Sequence, residues 1–310
     1  MQTRAIGSLE VSVVGIGCNN FGGRIDEAAT KAVVDAALDA GINLFDTADI
    51  YGATKSEELL GKALGSRRDD VVIATKYGMG DGTTLPAGAS AASIAAACEG
   101  SLRRLGTDRI DLYQLHAPDD KTPIDETLEA MDMLVRDGKV REIGCSNFDG
   151  TRLDAAASSA RDHGTARFVS VQNELSLLRR RGEPDLLDAC ERHDLQILPY
   201  FPLASGMLTG KYVRDAEPPA GTRLAGMPAE RRERALSDKQ FDKVEALAAF
   251  ATERGHTLLE LAMSWLAGLP HLASVIAGAT KPEQVHANAA AVGWQLTADD
   301  RAALDAISPA

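Results

Sequence analysis

Short apolar runs alternate with longer stretches of helical period almost from one end of the chain to the other. Eight runs stand out: Val13–Gly17 (VVGIG), then INLF, VVIAT, IDLYQL, REIGC, FVSVQ, QILPYF and ASVIA. Runs this continuously apolar predict strands covered on both faces. The segments between them carry helix starts and stops. Helices are expected from Asp26 to Ala40, closed by Gly41, from Ser56 to Leu64, closed by Gly65, and from Ser90 to Leu105, closed by Gly106. Thr122-Pro123 opens another, with Pro123 at the first helical position, and Asp137-Gly138 ends it.

Strands alternating with helices predict a parallel sheet wrapped in helices, and eight such units predict an α/β fold closed as a (β/α)8 TIM barrel. The polar residues that end the runs, Asp46, Lys76, His116, Ser146, Gln172 and Tyr200, follow one another at the spacing of one strand–helix unit. The step from Tyr200 to Gly278 is far longer and predicts an insertion after the seventh strand, over about residues 206–237. Lys211 to Asp238 has the composition of one, with Pro218-Pro219, Gly221 and the charge-dense ERRER at Glu230–Arg234. Long loops in compact folds are commonly binding loops or lids. Ahead of the first barrel strand, TRAIGSLEVS with Gly7-Ser8 at its centre predicts an N-terminal β-hairpin suited to plug the barrel's N-terminal mouth. Residues 1–310 are read as one domain.

Composition narrows the partners. There are 33 Lys+Arg against 45 Asp+Glu, a formal net charge of −12, and the longest basic block is Arg179-Arg180-Arg181. Such a chain offers no electrostatic footprint for nucleic acid or for an anionic membrane surface. The sequence has no apolar stretch of spanning length and no signal-peptide core at MQTRAIGSLEVS, so the expected location is cytoplasmic. Four cysteines without a C-x-x-C pair predict reduced core thiols, with neither disulfides nor a metal site. The pattern sets no oligomeric state.

Catalytic groups of such a barrel stand at the C-terminal ends of its strands. Asp46, Lys76 and His116 end three neighbouring runs, and Tyr51 follows Asp46 by one loop turn. Singly, each has an ordinary structural explanation, as a turn cap, a packed ring, a snorkelling cation or a hydrogen-bonded imidazole. Together at one mouth they suit acid–base chemistry. Lys76 is expected to lower the Tyr51 pKa, Asp46 to keep Lys76 charged, and a neutral His116 to orient a substrate oxygen. A lysine at a barrel strand end also suits imine chemistry, so a Schiff-base lyase using Lys76 is a second reading.

These motifs resemble the aldo-keto reductase superfamily. The resemblance runs through GIGCNNFGG, AGINLFDTADIYG, VVIATKYG, SLRRLGTDRIDLYQLHAPD, GKVREIGCSNF, VQNELSLL, LPYFPLASGMLTGKY and VIAGATKPEQVHANAAA. It implies reduction of an aldehyde or ketone, or the reverse reaction, with Asp46, Tyr51, Lys76 and His116 as the catalytic tetrad and a nicotinamide cofactor across the mouth. NADPH is expected ahead of NADH, with dual use open, and the partner is a small carbonyl compound. By the same resemblance Ser146, Asn147 and Gln172 match the carboxamide contacts and Tyr200 the aromatic stacked on nicotinamide. Phe201, Leu203, Ser205, Lys211 and Arg223 match the loop over the pyrophosphate. Gly278, Thr280, Gln284 and Asn288 match the segment receiving the 2′-phosphate and adenine. Two positions depart from many relatives, which have Arg at Thr280 and Glu at Ala287; Lys281 is a substitute cation. Asn19, Asn20, Phe21, Tyr77, Met79, Pro118 and Met207 are the candidate substrate-lining residues. A cofactor-binding regulatory protein like the channel β-subunits of this fold is a third reading.

Overall fold

Each of the eight apolar runs is a strand, and the eight pair in parallel. In the computed structural model, which describes all 310 residues, they are β3 (Val14–Gly17), β4 (Leu44–Asp46), β5 (Val72–Tyr77), β6 (Ile110–Leu115), β7 (Val140–Ser146), β8 (Ser170–Gln172), β9 (Gln196–Ile197) and β10 (Val275–Gly278), preceded by the antiparallel pair β1 (Thr3–Ile6) and β2 (Leu9–Ser12). Pairing runs from β10 to β3 and onward in chain order to β9. Bridges Ile197–Leu272 and Tyr200–Ile276, with Ile276 N–H donating to Pro199 O at 3.0 Å, close the ring. The fold is a (β/α)8 barrel.

The helices are α1 (Glu27–Asp39), α2 (Lys55–Leu64), α3 (Ala91–Leu105), α4 (Ile124–Arg136), α5 (Gly150–His163), α6 (Glu183–His193), α7 (Ala229–Ala235), α8 (Asp238–Glu253), α9 (Leu258–Ala267), α10 (Pro282–Ala290) and α11 (Ala298–Ile307). Asp26 and Ser90 cap α1 and α3 through their side chains, as their residue types favour. Pro123 differs from expectation. With ψ 143 it is extended and stands at the cap, one residue before the helix, because it disfavours nothing there and lacks only an N–H that the first turn would leave unpaired. The insertion also differs in part: ERRER lies in the short helix α7, and α8 and α9 fill the rest of the long step before β10.

Alternate residues of each strand point into the barrel, and their character changes along its axis. Toward the N-terminal end, Leu44, Val72, Ala74, Leu112, Leu198 and Ala273 form one apolar cluster with Ile6, Leu9 and Val11 of the hairpin. The hairpin therefore seals that mouth. Burying each of its three large side chains contributes about 1.5–3 kcal/mol. Toward the other end the inward positions become polar: Asp46 on β4, Lys76 on β5, Gln114 on β6, Ser146 on β7 and Gln172 on β8, all buried.

Candidate active site

Asp46 is the last residue of β4, and the chain then turns tightly through Gly52, Ala53 and Thr54, all with positive φ (57°, 51° and 76°). Just before it, Tyr51 N–H donates to Ala48 O at 3.2 Å, and Tyr51 lies over the strand ends. Gly52 is required twice, by its φ and because a Cβ there would lie 2.4 Å from Phe21 O. Lys76, on the neighbouring strand, is fully buried and donates to Asp46 Oδ2 at 2.7 Å, Thr47 O at 2.8 Å and Tyr51 Oη at 3.5 Å. All three ammonium hydrogens are thereby engaged. Burial alone would push the Lys76 pKa down, but the Asp46 charge and the contacts with Asp46 and Tyr51 outweigh it, and the net shift is upward. Lys76 is a fixed cation.

Tyr51 corrects an expectation. Lys76 does act to lower its pKa, but burial acts more strongly in the opposite direction, aided by the Asp46 charge, and the phenol is held above its ordinary value. Tyr51 is a neutral O–H at physiological pH. His116 follows β6 and sets its ring edge-on to Tyr51, centroids 5.8 Å apart. Burial, then the Lys76 charge, lowers its pKa to about 3, so the imidazole is neutral. Its buried Nδ1 has no hydrogen-bond partner. The tautomer with the proton on Nε2 leaves no buried donor unpaired.

Asp46, Tyr51 and His116 line a cleft of about 760 Å³ at the C-terminal mouth, with Lys76 buried beneath them. All the sequence-derived cofactor candidates line it: Ser146, Asn147, Gln172, Tyr200, Phe201, Leu203, Ser205, Lys211, Arg223, Gly278, Thr280, Gln284 and Asn288. Several are tied to one another. Ser146 Oγ donates to Gln172 O at 2.7 Å, Asn147 Nδ2 to His116 O at 2.9 Å, and Tyr200 Oη to Asn147 Oδ1 at 2.9 Å. Gln284 Oε1 accepts from both the N–H and the hydroxyl of Thr280, ahead of α10. Asn288 is buried against the cleft and is not part of a solvated helix face.

Of the substrate-lining candidates, Asn19, Asn20 and Met79 border the cleft. Phe21, Tyr77 and Met207 do not: all three are buried in the hydrophobic core, Tyr77 stacked on Tyr113. Pro118 lines a separate, smaller pocket with Asp119 and Arg152. Two residues escaped the sequence reading. Arg24 lines the cleft and donates to Gly221 O at 2.7 Å, tying the β3–α1 loop to the insertion. Gln114 sits beneath the cleft against Asp46. The period of two places it inward on β6 with Leu112, but nothing local marks it for the site. A buried carboxyl, Asp49, also lies close by; neither oxygen has a hydrogen-bond partner, and burial, then the Glu57 charge, raises its pKa to about 7.

The Aldo/keto reductase family model matches residues 13–309. A probable voltage-gated potassium channel subunit beta of Oryza sativa subsp. japonica is 36% identical over 296 residues, which cover 93% of this chain and 90% of the relative. Aldo-keto reductase YhdN of Bacillus subtilis is 34% identical, with 96% and 90% covered. Among solved structures, a glycerol dehydrogenase from Gluconobacter oxydans superposes with a TM-score of 0.83 at 33% identity, covering 98% of this chain and 94% of that one.

Proposed function

The chain belongs to the aldo/keto reductase family, and from that premise we propose that it reduces an aldehyde or ketone to an alcohol, or runs the reverse reaction, using NADPH in preference to NADH. The observation that carries this reading is the buried cluster in which Lys76 touches both Asp46 and Tyr51, set in the floor of the large cleft. The residues present suit a dinucleotide. Arg24, Lys211, Arg223 and Lys281 line the cleft, and Arg24 and Arg223 spend their hydrogen bonds on neutral oxygens of Gly221, Asn19 and Asn20. Cations left without carboxylates at a cleft wall suit phosphate groups. Phe201, Ala204 and Ser205 all have positive φ, a run of unusual backbone that is common beside bound ligands.

Reduced nicotinamide, when bound, supplies the hydride to the carbonyl carbon. The protein's share is the proton and the field. Tyr51 Oη donates its proton to the carbonyl oxygen, and the Lys76 ammonium stabilises the phenolate that remains. Asp46 holds Lys76 in place, while neutral His116 offers its N–H to the same oxygen. Ser146, Asn147 and Gln172 would meet the carboxamide, Tyr200 the nicotinamide face, and Thr280, Lys281, Gln284 and Asn288 the adenosine end.

The lyase reading is opposed by Lys76 itself, since an imine needs a neutral, accessible amine. Borohydride added with a carbonyl substrate should leave Lys76 unmodified by mass spectrometry. The function is tested by NADPH oxidation with sugars, aromatic aldehydes, dicarbonyls and small ketones. Turnover with at least one class is expected; binding of NADPH with none would favour a cofactor-binding regulatory protein in place of an enzyme, the rice relative being named a probable channel subunit beta.

A further inference from the structure

Lys76 is only one of three side chains that donate to Asp46. Its ammonium takes Oδ2, while Oδ1 accepts from Gln172 Nε2 at 2.8 Å and from Gln114 Nε2 at 3.2 Å. The two amides also meet, Gln172 Nε2 donating to Gln114 Oε1 at 3.4 Å. A carboxylate only accepts, so each glutamine must turn its nitrogen toward Asp46. With its nitrogen committed, Gln114 has its oxygen left for the second amide hydrogen of Gln172. Both Gln172 N–H bonds are then spent inside the protein, and its Oε1 is the atom left for the cleft that Gln172 lines.

From this triangle, and resting on the reading of the cleft as a nicotinamide site, we infer that Gln114 is a positioning residue that makes Gln172 present an acceptor to the cofactor. Gln114 is fully buried and does not border the cleft, so it acts only through Asp46 and Gln172. An acceptor fixed at this point selects a ring substituent that carries an N–H, as a carboxamide does. A ring bearing a methyl ketone has only a methyl or an oxygen to set against that acceptor, neither of which donates, and is disfavoured unless Gln172 turns over. The contact with Asp46 alone leaves one Gln172 hydrogen free; Gln114 removes that freedom.

The test compares dissociation constants, by fluorescence titration of the intact protein, for NADPH and for its reduced 3-acetylpyridine analogue, in which a methyl replaces the amide nitrogen. Wild type should prefer NADPH. Gln114→Met, an apolar replacement of similar volume, should shrink that preference by roughly three- to tenfold, the worth of about one hydrogen bond. In a Gln172→Ala background the same substitution should leave the ratio unchanged, since the route through Gln172 is gone. Gln114→Leu replaces Gln114→Met should the latter not fold. A preference unchanged in the folded Gln114 variant overturns the role of Gln114 and leaves the cofactor reading standing. Equal affinities in wild type overturn the fixed acceptor. Binding of neither dinucleotide by wild type overturns the cofactor reading and this inference with it.

Discussion

Tyr51 sits 3.5 Å from a permanent cation, and burial still holds its phenol above the ordinary range. The group is thus a protonated O–H across neutral pH, and in the proposed mechanism Lys76 matters most once the proton has gone. Tyr51→Phe should lower the reduction rate by at least about a hundredfold, in line with the usual contribution of a general acid, with cofactor affinity changed little. Steady-state turnover and fluorescence titration would check it; more than about a tenth of the wild-type rate would transfer the acid role elsewhere. Asp49 is a second buried group with a consequence for pH. Its folded-state pKa of about 7 exceeds the unfolded value, so the native state binds the proton more tightly. The stability it contributes is present below pH about 4 and is lost as pH rises through 7. Asp49→Asn should therefore gain on wild type as pH rises from 5 to 8, read as a widening Tm difference. A difference constant over that range would contradict the raised pKa.

Among the elements, the segment ahead of α10 is the one proposed to receive the adenosine end. Thr280 keeps its N–H on Gln284 Oε1 whatever its side chain, so its hydroxyl can be replaced without dismantling the turn. Thr280→Arg should add a charge-assisted partner for a 2′-phosphate and raise the preference for NADPH over NADH by about 1.5–3 kcal/mol, roughly tenfold or more. Paired affinity measurements on both dinucleotides would show it, and an unchanged ratio would remove Thr280 from that contact. The insertion acts as an element too. It is fastened to the β3–α1 loop through Arg24 on Gly221 and Arg223 on Asn19 and Asn20. Long-range bonds of this kind, spanning about two hundred residues, could be named from no local pattern, which is why Arg24 was absent from the sequence reading.

At the scale of the whole molecule, the barrel is closed at one end by apolar packing and open at the other to chemistry. Leu9 is buried in the hairpin cluster beneath Leu44, Val72 and Leu112, remote from the mouth that holds Tyr51. Leu9→Ala should cost about 2–5 kcal/mol of stability, the usual range for such a core truncation, while the rate per folded molecule stays at the wild-type value. Denaturant unfolding beside turnover checks both halves. A fall in turnover of the folded protein would show that the plug and the catalytic mouth are coupled.

Strand identity, the barrel and the gathering of Asp46, Lys76 and His116 with Tyr51 were legible because they depend on local order: apolar runs at regular spacing, with polar residues at their ends. The same rule hid Gln114, since a single polar residue inside IDLYQL gains its meaning only from the facing Asp46 and Gln172 on other strands. Phe21, Tyr77 and Met207 are the opposite case; their places beside the motifs suggested the mouth, and packing turned them into the core. Sequence also supplied the signs of the charges near Tyr51, but not the balance among them. Desolvation depends on everything that covers a group, and only the folded chain decides that burial outweighs Lys76 at Tyr51 and yields to Asp46 and Tyr51 together at Lys76.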